Sequence, residues 1–368
     1  MIEKIRDLRK KLNENPEISN KEYVTREILK DFLKQNSNIN IVDMNTYFYA
    51  ERIIDSNLET IVIRADHDAI TNSKGQVYHG CGHDGHSSIL AGTILATEGI
   101  KLNKNVIFLF QAAEENGSGA KLTDELFKKY KIDKIYGLHN MPMLEKNVVG
   151  YKKGTMMCAS CGYTFKITGK QSHASLPENA KNPAFVISKV IEMLEPLSKF
   201  NGFKAITFEN HDFKDLIMAT IINVKIGEKN FGISPANGEI SMTLRSAKED
   251  ELNILFTMIY NKIKELCGSE YIFSYEEFDA FPETNNDDKL TEETIKIFKE
   301  KGFKVIENKE PFRASEDFGY YKKFAPSLFF FLGNGDSAPL HDDMYKFNDD
   351  ILETGIALFK TIIESENN

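Results

Sequence analysis

Residues 60–97 read TIVIRADHDAITNSKGQVYHGCGHDGHSSILAGTILAT. The segment opens on an unbroken apolar run, Thr60 to Arg64, which predicts a short strand buried on both faces. It closes on Ser87 to Thr97, apolar and rich in small residues, which predicts a helix. Between them lie two polar stretches, Arg64-Ala-Asp-His-Asp68 and His79-Gly-Cys-Gly-His-Asp-Gly-His86. A buried strand, a polar loop and a covering helix form the unit from which a parallel sheet with helices on both faces is built.

The same unit recurs on either side. Val106 to Phe110 (VIFLF), Ile135 to Leu138 and Ser327 to Leu332 (SLFFFL) predict further buried strands. Lys121 to Tyr130, Thr291 to Lys301 and Ile351 to Ile363 predict helices between and after them. Upstream, Ile2, Ile5, Leu8 and Leu12 form a helical stripe. Ser19 followed by Glu22 predicts a capping box for a second helix, with Tyr23, Ile28, Phe32 and Leu33 as core contacts.

The middle of the chain has another character. Tyr163 to Thr168, Ile217 to Ile226 and Glu239 to Arg245 alternate like half-exposed strands, and Ile240, Met242 and Leu244 share one face. Asn182 to Leu197, with Pro183 in its first turn, and Lys248 to Leu266 predict helices. Tyr271 to Phe278 predicts a last strand. The order β-α-β-β-α-β is ferredoxin-like. The expected fold is thus α/β: a mostly parallel sheet with helices on both faces, interrupted by an inserted α+β domain. The first domain takes residues 1–161 and 281–368, and the insert takes 162–280.

Composition narrows the function. The chain has 368 residues, 41% hydrophobic and 27% charged, an ordinary globular balance with room for two cores. A formal charge of −9 repels phosphate backbones, which argues against nucleic acid as the partner. No apolar run approaches the roughly 20 residues that cross a bilayer. The amino terminus lacks the apolar core of a signal peptide. Four cysteines are too few for a disulfide scaffold. A cytoplasmic protein with no membrane partner is expected.

The candidate chemistry gathers after the buried strands, where open parallel sheets form their ligand crevice. The strand ends lead into Asp68, into Glu114-Glu115, into His139 and into Pro339-Leu-His341. Cys81 and His83 lie two apart at a helix start. Thiolate, imidazole and carboxylate are ligands for zinc-like divalent ions. Two adjacent glutamates suit a division in which one binds metal and the other moves a proton. Cys158-Ala-Ser-Cys161 has no second CxxC at zinc spacing, and it reads as structural. His67 reads either as an extra metal contact or as filler.

Eight stretches carry a family resemblance: NPEIS at 15–19, RADHDAI at 64–70, CGHDGH at 81–86, FQAAEENGSGAK at 110–121, GLHNMP at 137–142, GKQSHASLPE at 169–178, SEDFG at 315–319 and LHDDMYKF at 340–347. In this order the chain resembles the M20 metallopeptidases, in the amidohydrolase branch of aminoacylases, hippurate hydrolases and N-acetyl-diaminopimelate deacetylases. The resemblance implies a catalytic α/β domain with a ferredoxin-like lid and a homodimer through that lid. It implies two divalent metal ions (zinc, manganese, cobalt or nickel) held by Cys81, His83, Glu115, His139 and His341. It further implies Glu114 as general base, Asp68 as the residue that orients a ligand, and His173 on the lid as the group that polarises the scissile carbonyl. The sequence departs from the family at Asn13, His67, Glu178 and the NFGISPAN segment at 230–237. Arg245, at the end of a strand, reads either as a partner for a substrate carboxylate or as a solvated edge charge.

The implied reaction removes the acyl group from N-acyl amino acids or related small amides. A dipeptidase or aminopeptidase could use the same site. A non-catalytic metal-binding relative is the third reading, but it has no chemical need for both Glu114 and Glu115.

Overall fold

A computed structural model describes residues 1–365. They divide into two compact units. The first comprises residues 1–156, 284–310 and 316 onward, and the second comprises 157–283 with 311–315.

The first unit is built on an eight-stranded sheet. Its centre is four parallel strands in the order Asn105–Gln111, Thr60–Asp66, Lys134–Pro142 and Ser327–Gly335. Thr60–Asp66 and Asn105–Gln111 are buried at every residue, as continuous apolar runs require. Antiparallel Phe48–Arg52 and Asn40–Asp43 extend one edge, and Val149–Tyr151 and Val305–Glu307 extend the other. These short edge strands lack the long apolar runs of the centre, and so escape a reading based on pattern.

Helix Ile2–Asn13 buries Ile5, Leu8 and Leu12. Helix His83–Ala96 is buried on almost every side and begins at His83, four residues before the apolar stretch that marks it in the sequence. Residues 121–130 form two short helices, Gly119–Leu122 and Asp124–Lys129.

The helix at Tyr23–Asn36 corrects the expected capping box. Its N-cap, Glu22, makes no side-chain capping bond. The Ser19 hydroxyl donates instead to Asp68 Oδ2 at 2.7 Å, and the Glu22 carboxylate accepts from the Ala113 N–H at 2.7 Å. Ile28 and Leu33 are buried, but Tyr23 is 66% exposed. A capping motif is a local signal, and here distant partners outcompete it.

The second unit is an antiparallel four-stranded sheet in the order Ile217–Ile226, Asn237–Ser246, Ala159–Thr168, Ile272–Phe281. Helices Ala184–Leu194 and Glu249–Cys267 complete the β-α-β-β-α-β order. Pro183 is the N-cap of the first of these rather than inside its first turn. Phe165, Ile240, Met242 and Leu244 face this unit's own core. The opposite face is polar, with Thr164 Oγ1 2.8 Å from Ser241 Oγ. Cys158 and Cys161 are both buried thiols. Residues 311–315 join this unit because the Cys158 N–H donates to Phe312 O (3.0 Å) and Ala314 O (3.1 Å).

The segment following Asn105–Gln111 turns so tightly that only glycine fits at 119. A Cβ there would lie 1.8 Å from Ala112 O and 2.6 Å from Gln111 Nε2. Gly119→Ala should therefore lower the unfolding free energy by about 1–3 kcal/mol, the usual cost of overpacking. Urea denaturation checks this, and an unchanged midpoint would show that the turn can open freely.

Candidate metal centre and active site

The four parallel strands all end at one edge of the sheet, so side chains from far apart in sequence meet there. Cys81 Sγ lies 3.5 Å from His139 Nε2 and 3.5 Å from His341 Nε2. His341 Nε2 is 3.5 Å from Glu115 Oε2. Two sets of atoms are close enough to hold an ion each, Cys81/His83/His139 and Cys81/Glu115/His341, and they share the thiol. His83, Glu114 and Glu115 form a further set. The five expected ligands are thus neighbours.

These residues fit a divalent cation. His83 Nε2 and Glu115 Oε1 are buried and have no hydrogen-bond partner among the described residues, although they are 3.8 Å apart. Leaving such polar atoms unsatisfied is costly unless something else satisfies them. Burial lowers the pKa of His83, but Asp66, Asp68 and Glu115 outweigh it and raise the value to about 10. The surroundings therefore favour positive charge at this imidazole. Burial, with Glu115, Glu114 and Asp66, keeps the Cys81 thiol well above its ordinary range. Burial holds His139 neutral.

The histidine rings are oriented by bonds on their far sides, as metal-binding imidazoles usually are. Asp68 Oδ1 is 3.0 Å from His83 Nδ1. His139 Nδ1 donates to Asn140 O at 2.6 Å and turns Nε2 toward Cys81. Asp68 Oδ2 also accepts from the Ser19 hydroxyl and from the Glu115 N–H at 3.0 Å. Burial raises the Asp68 pKa, but these donors together bring it below the ordinary range.

Glu114 is buried, and beyond the neighbourhood it shares with His83 and Glu115 it faces a second one. Its Oε1 accepts weakly from the Asp317 N–H at 3.4 Å, and it lies with Glu316 and Asp317 in an acidic set. Burial, then Glu316 and Glu115, push its carboxyl well above the usual range. A buried carboxyl raised toward neutrality suits a group that takes up and returns a proton.

Two residues here have left-handed backbone without being glycine, Ala113 (φ 54°) and His341 (φ 67°). Such conformations cost about 1–2 kcal/mol each for L-residues and recur at functional sites.

Several members of this network receive no role from the sequence. His86 binds Asp66 Oδ1 through Nδ1 (2.7 Å), and Asn140 lies at its Nε2. His86 follows His83 by three on one helix, a spacing that places both on one face and could have flagged it. Arg64 is fully buried. It donates to Asp66 (2.6 Å), Glu316 (2.8 Å), Asp317 (2.8 Å) and Gln111 (2.8 Å). No local signal marks those partners. Asn13, where the family often has His, donates to Asp84 Oδ2 at 2.9 Å. His67 is buried with both ring nitrogens unpartnered, and burial lowers its pKa to about 3. It belongs to none of the metal-ligating sets among the described residues.

His173 lies in the second unit, exposed on the short strand Ser172–His173. Its Nδ1 accepts from the Ser175 N–H at 3.1 Å, so the neutral ring carries its proton on Nε2.

Residues 62–365 match the family described as peptidase family M20/M25/M40, and the chain belongs to it. It is a hydrolase acting on carbon–nitrogen bonds. The hippurate hydrolase of Campylobacter jejuni is 30% identical over 363 residues, covering 94% of this chain and 92% of that protein. A solved structure from methicillin-resistant Staphylococcus aureus shares the fold, with a TM-score of 0.85 at 24% identity, covering 100% of this chain and 97% of that one. So does a dinuclear metal binding peptidase of the M20 family from Bacillus subtilis, with a TM-score of 0.80 at 21% identity, covering 98% and 97%. Among the described residues no helix is long and apolar enough to cross a membrane.

Arg64 gives a sharp test of how this edge is held together. Arg64→Met leaves Asp66, Glu316 and Asp317 buried without their cation. It should cost about 3–5 kcal/mol, as breaking a buried ion pair does. Urea denaturation measures it, and a loss below about 1 kcal/mol would mean that the carboxyls simply take up protons.

Proposed function

We propose that the protein is a metal-dependent amide hydrolase that removes the acyl group from N-acyl amino acids. The observation that carries this reading is the position of Cys81 Sγ, 3.5 Å from both His139 and His341, with Glu115 and His83 close by and Glu114 reaching both His83 and the acidic pair Glu316–Asp317. Cys81, His83, Glu115, His139 and His341 would hold two divalent ions. The name of the Bacillus subtilis relative, a dinuclear metal binding peptidase, supports the count. Bound ions would supply Lewis acidity to the attacking water and to the amide carbonyl.

The chain's own groups supply the rest. Glu114 takes the proton of the attacking water on its carboxylate and returns it to the leaving nitrogen. Asp68 holds the Nδ1 edge of His83 and leaves Nε2 as the coordinating atom. His173, with Nδ1 occupied by Ser175, offers its Nε2–H to the oxygen of the former carbonyl as negative charge develops there. We assign His173 to a lid and dimerisation domain, residues 162–280, inserted into a catalytic domain of residues 1–161 and 281–368 and pairing with a second copy of the chain.

Two observations support an N-acyl amino acid over a peptide with a free amino end. Hippurate, named for the Campylobacter jejuni relative, is itself an acylated amino acid. In the second unit, Arg245 donates to Arg313 O (2.6 Å) and Ser315 Oγ (2.7 Å), and among the described residues neither arginine has a carboxylate partner. Such a pair suits the carboxylate that every N-acyl amino acid carries.

The first experiment loads the protein with zinc, manganese, cobalt or nickel and offers acetyl- and benzoyl-amino acids, their carboxamides and simple dipeptides. The acyl amino acids should be hydrolysed fastest. Preference for dipeptides would overturn the substrate assignment. In the same assay Glu114→Gln should lower kcat by about 10²-fold or more while metal content stays near that of the parent. Turnover near the parent's would show that Glu114 is not the base.

A further inference from the structure

The turn that presents Glu114 and Glu115 is held by a residue from outside both the turn and the strand before it. Ala113 sits immediately before the pair in the left-handed region, at φ 54°. Both of its peptide groups are tied down. Its carbonyl accepts from the Gly119 N–H at 2.9 Å. Its N–H donates to Glu22 Oε1 at 2.7 Å, across 91 residues of sequence. Glu22 is only 3% exposed and does not cap its own helix.

The left-handed conformation at Ala113 sets the directions of the next two side chains. Both glutamates lie near His83, but Glu114 also lies with Glu316 and Asp317, whereas Glu115 also lies with Cys81 and His341. Adjacent side chains reach such different partners only while the turn keeps its shape. Were Ala113 to relax to an ordinary conformation, the peptide plane after it would rotate. The Glu115 N–H would leave Asp68, to which it now donates at 3.0 Å.

We propose that Glu22 is a positioning residue for the Glu114–Glu115 pair, accepting the Ala113 N–H so that the turn stays left-handed and the two carboxylates stay divided between proton transfer and metal. This rests on the roles proposed for Glu114 and Glu115 in hydrolysis. What the turn needs is an acceptor oxygen, not a negative charge. Consistent with that, burial and the nearby Asp68 raise the Glu22 carboxyl to about 7, so it is not held firmly ionised.

The test uses the full-length protein and four variants: Glu22→Ala, Glu22→Gln, Ala113→Gly and the double change Glu22→Ala/Ala113→Gly. Kinetics are read on the metal-loaded protein, and hydrogen exchange of residues 110–119 on the metal-free protein. Glu22→Ala should lower kcat at least about 10-fold with little change in KM, since small displacements of reacting groups are costly. It should also speed exchange in 110–119 while the urea midpoint moves little. Glu22→Gln keeps an acceptor oxygen and should stay within about 3-fold of the parent. Glycine enters the left-handed region without a Cβ clash. With Ala113→Gly as the starting point, removing Glu22 should therefore cost less than about 3-fold. The proposal is overturned if Glu22→Ala matches the parent, if Glu22→Gln is as damaged as Glu22→Ala, or if the loss is the same with alanine or glycine at 113. If Glu22→Ala does not fold, Glu22→Asp, which withdraws the oxygen by one methylene, replaces it with the same expectations. Glu114→Gln run alongside separates the two readings. If it is nearly inactive while Glu22→Ala is silent, only the role of Glu22 falls. If Glu114→Gln is active, the assignment of the pair falls first.

Discussion

A single buried guanidinium holds the functional edge of this protein together. Arg64 leaves the end of a central strand and binds Asp66 beside it, Gln111 on the next strand, and Glu316 and Asp317 from a segment 252 residues away. Without a cation at this point, three carboxylates would share a dry interior with Glu114, a density of like charge that burial makes severe. Even with Arg64 present, burial and the neighbouring Glu316 keep the Asp317 carboxyl up at about 8. The chain tolerates this because Asp317 has further donors, the Gln111 amide at 2.8 Å and the Ala120 N–H at 2.8 Å.

The acidic character of the interior changes from place to place along the edge. Around Glu114, burial and the neighbouring Glu316 and Glu115 hold the carboxyl close to its proton, while Arg64 balances Glu316 and Asp317. Around His83, Cys81 and Glu115 no arginine or lysine makes an ion pair among the described residues, and buried polar atoms remain unsatisfied. One side suits a proton carrier and the other suits a metal cation. The division falls between two consecutive residues, 114 and 115, and it comes from the direction of the backbone at Ala113. Ser19, Glu22 and Asp68, none of them in the loop itself, supply the bonds that hold this geometry.

The two units differ in how they place their polar groups. The first buries charge at one edge of its sheet and satisfies it through long-range bonds. The second keeps an apolar core on its helix side and leaves its open face to hydroxyl and ion pairs such as Lys166–Glu276 at 2.6 Å. Its cysteines, Cys158 and Cys161, are buried among apolar neighbours.

By itself the sequence determined the mostly parallel sheet, its central strands and most of its helices, and the β-α-β-β-α-β order of the insert. These arise from runs and periods of apolar residues, which are local and survive as a pattern along the chain. It also marked Cys81, His83, Glu114, Glu115, His139 and His341, because unusual residue types stood at the ends of buried strands. The short edge strands at 40–43, 149–151 and 305–307 were not legible, since three or four residues carry too little pattern. Nor were the partners of Ser19, Glu22, Arg64 and His86. Ser19 and Glu22 read locally as a helix cap, and only the folded chain turns them to Asp68 and Ala113, 49 and 91 residues distant. A hydrogen bond between residues so far apart leaves no periodic trace. Tertiary packing alone decides which buried donor meets which buried acceptor.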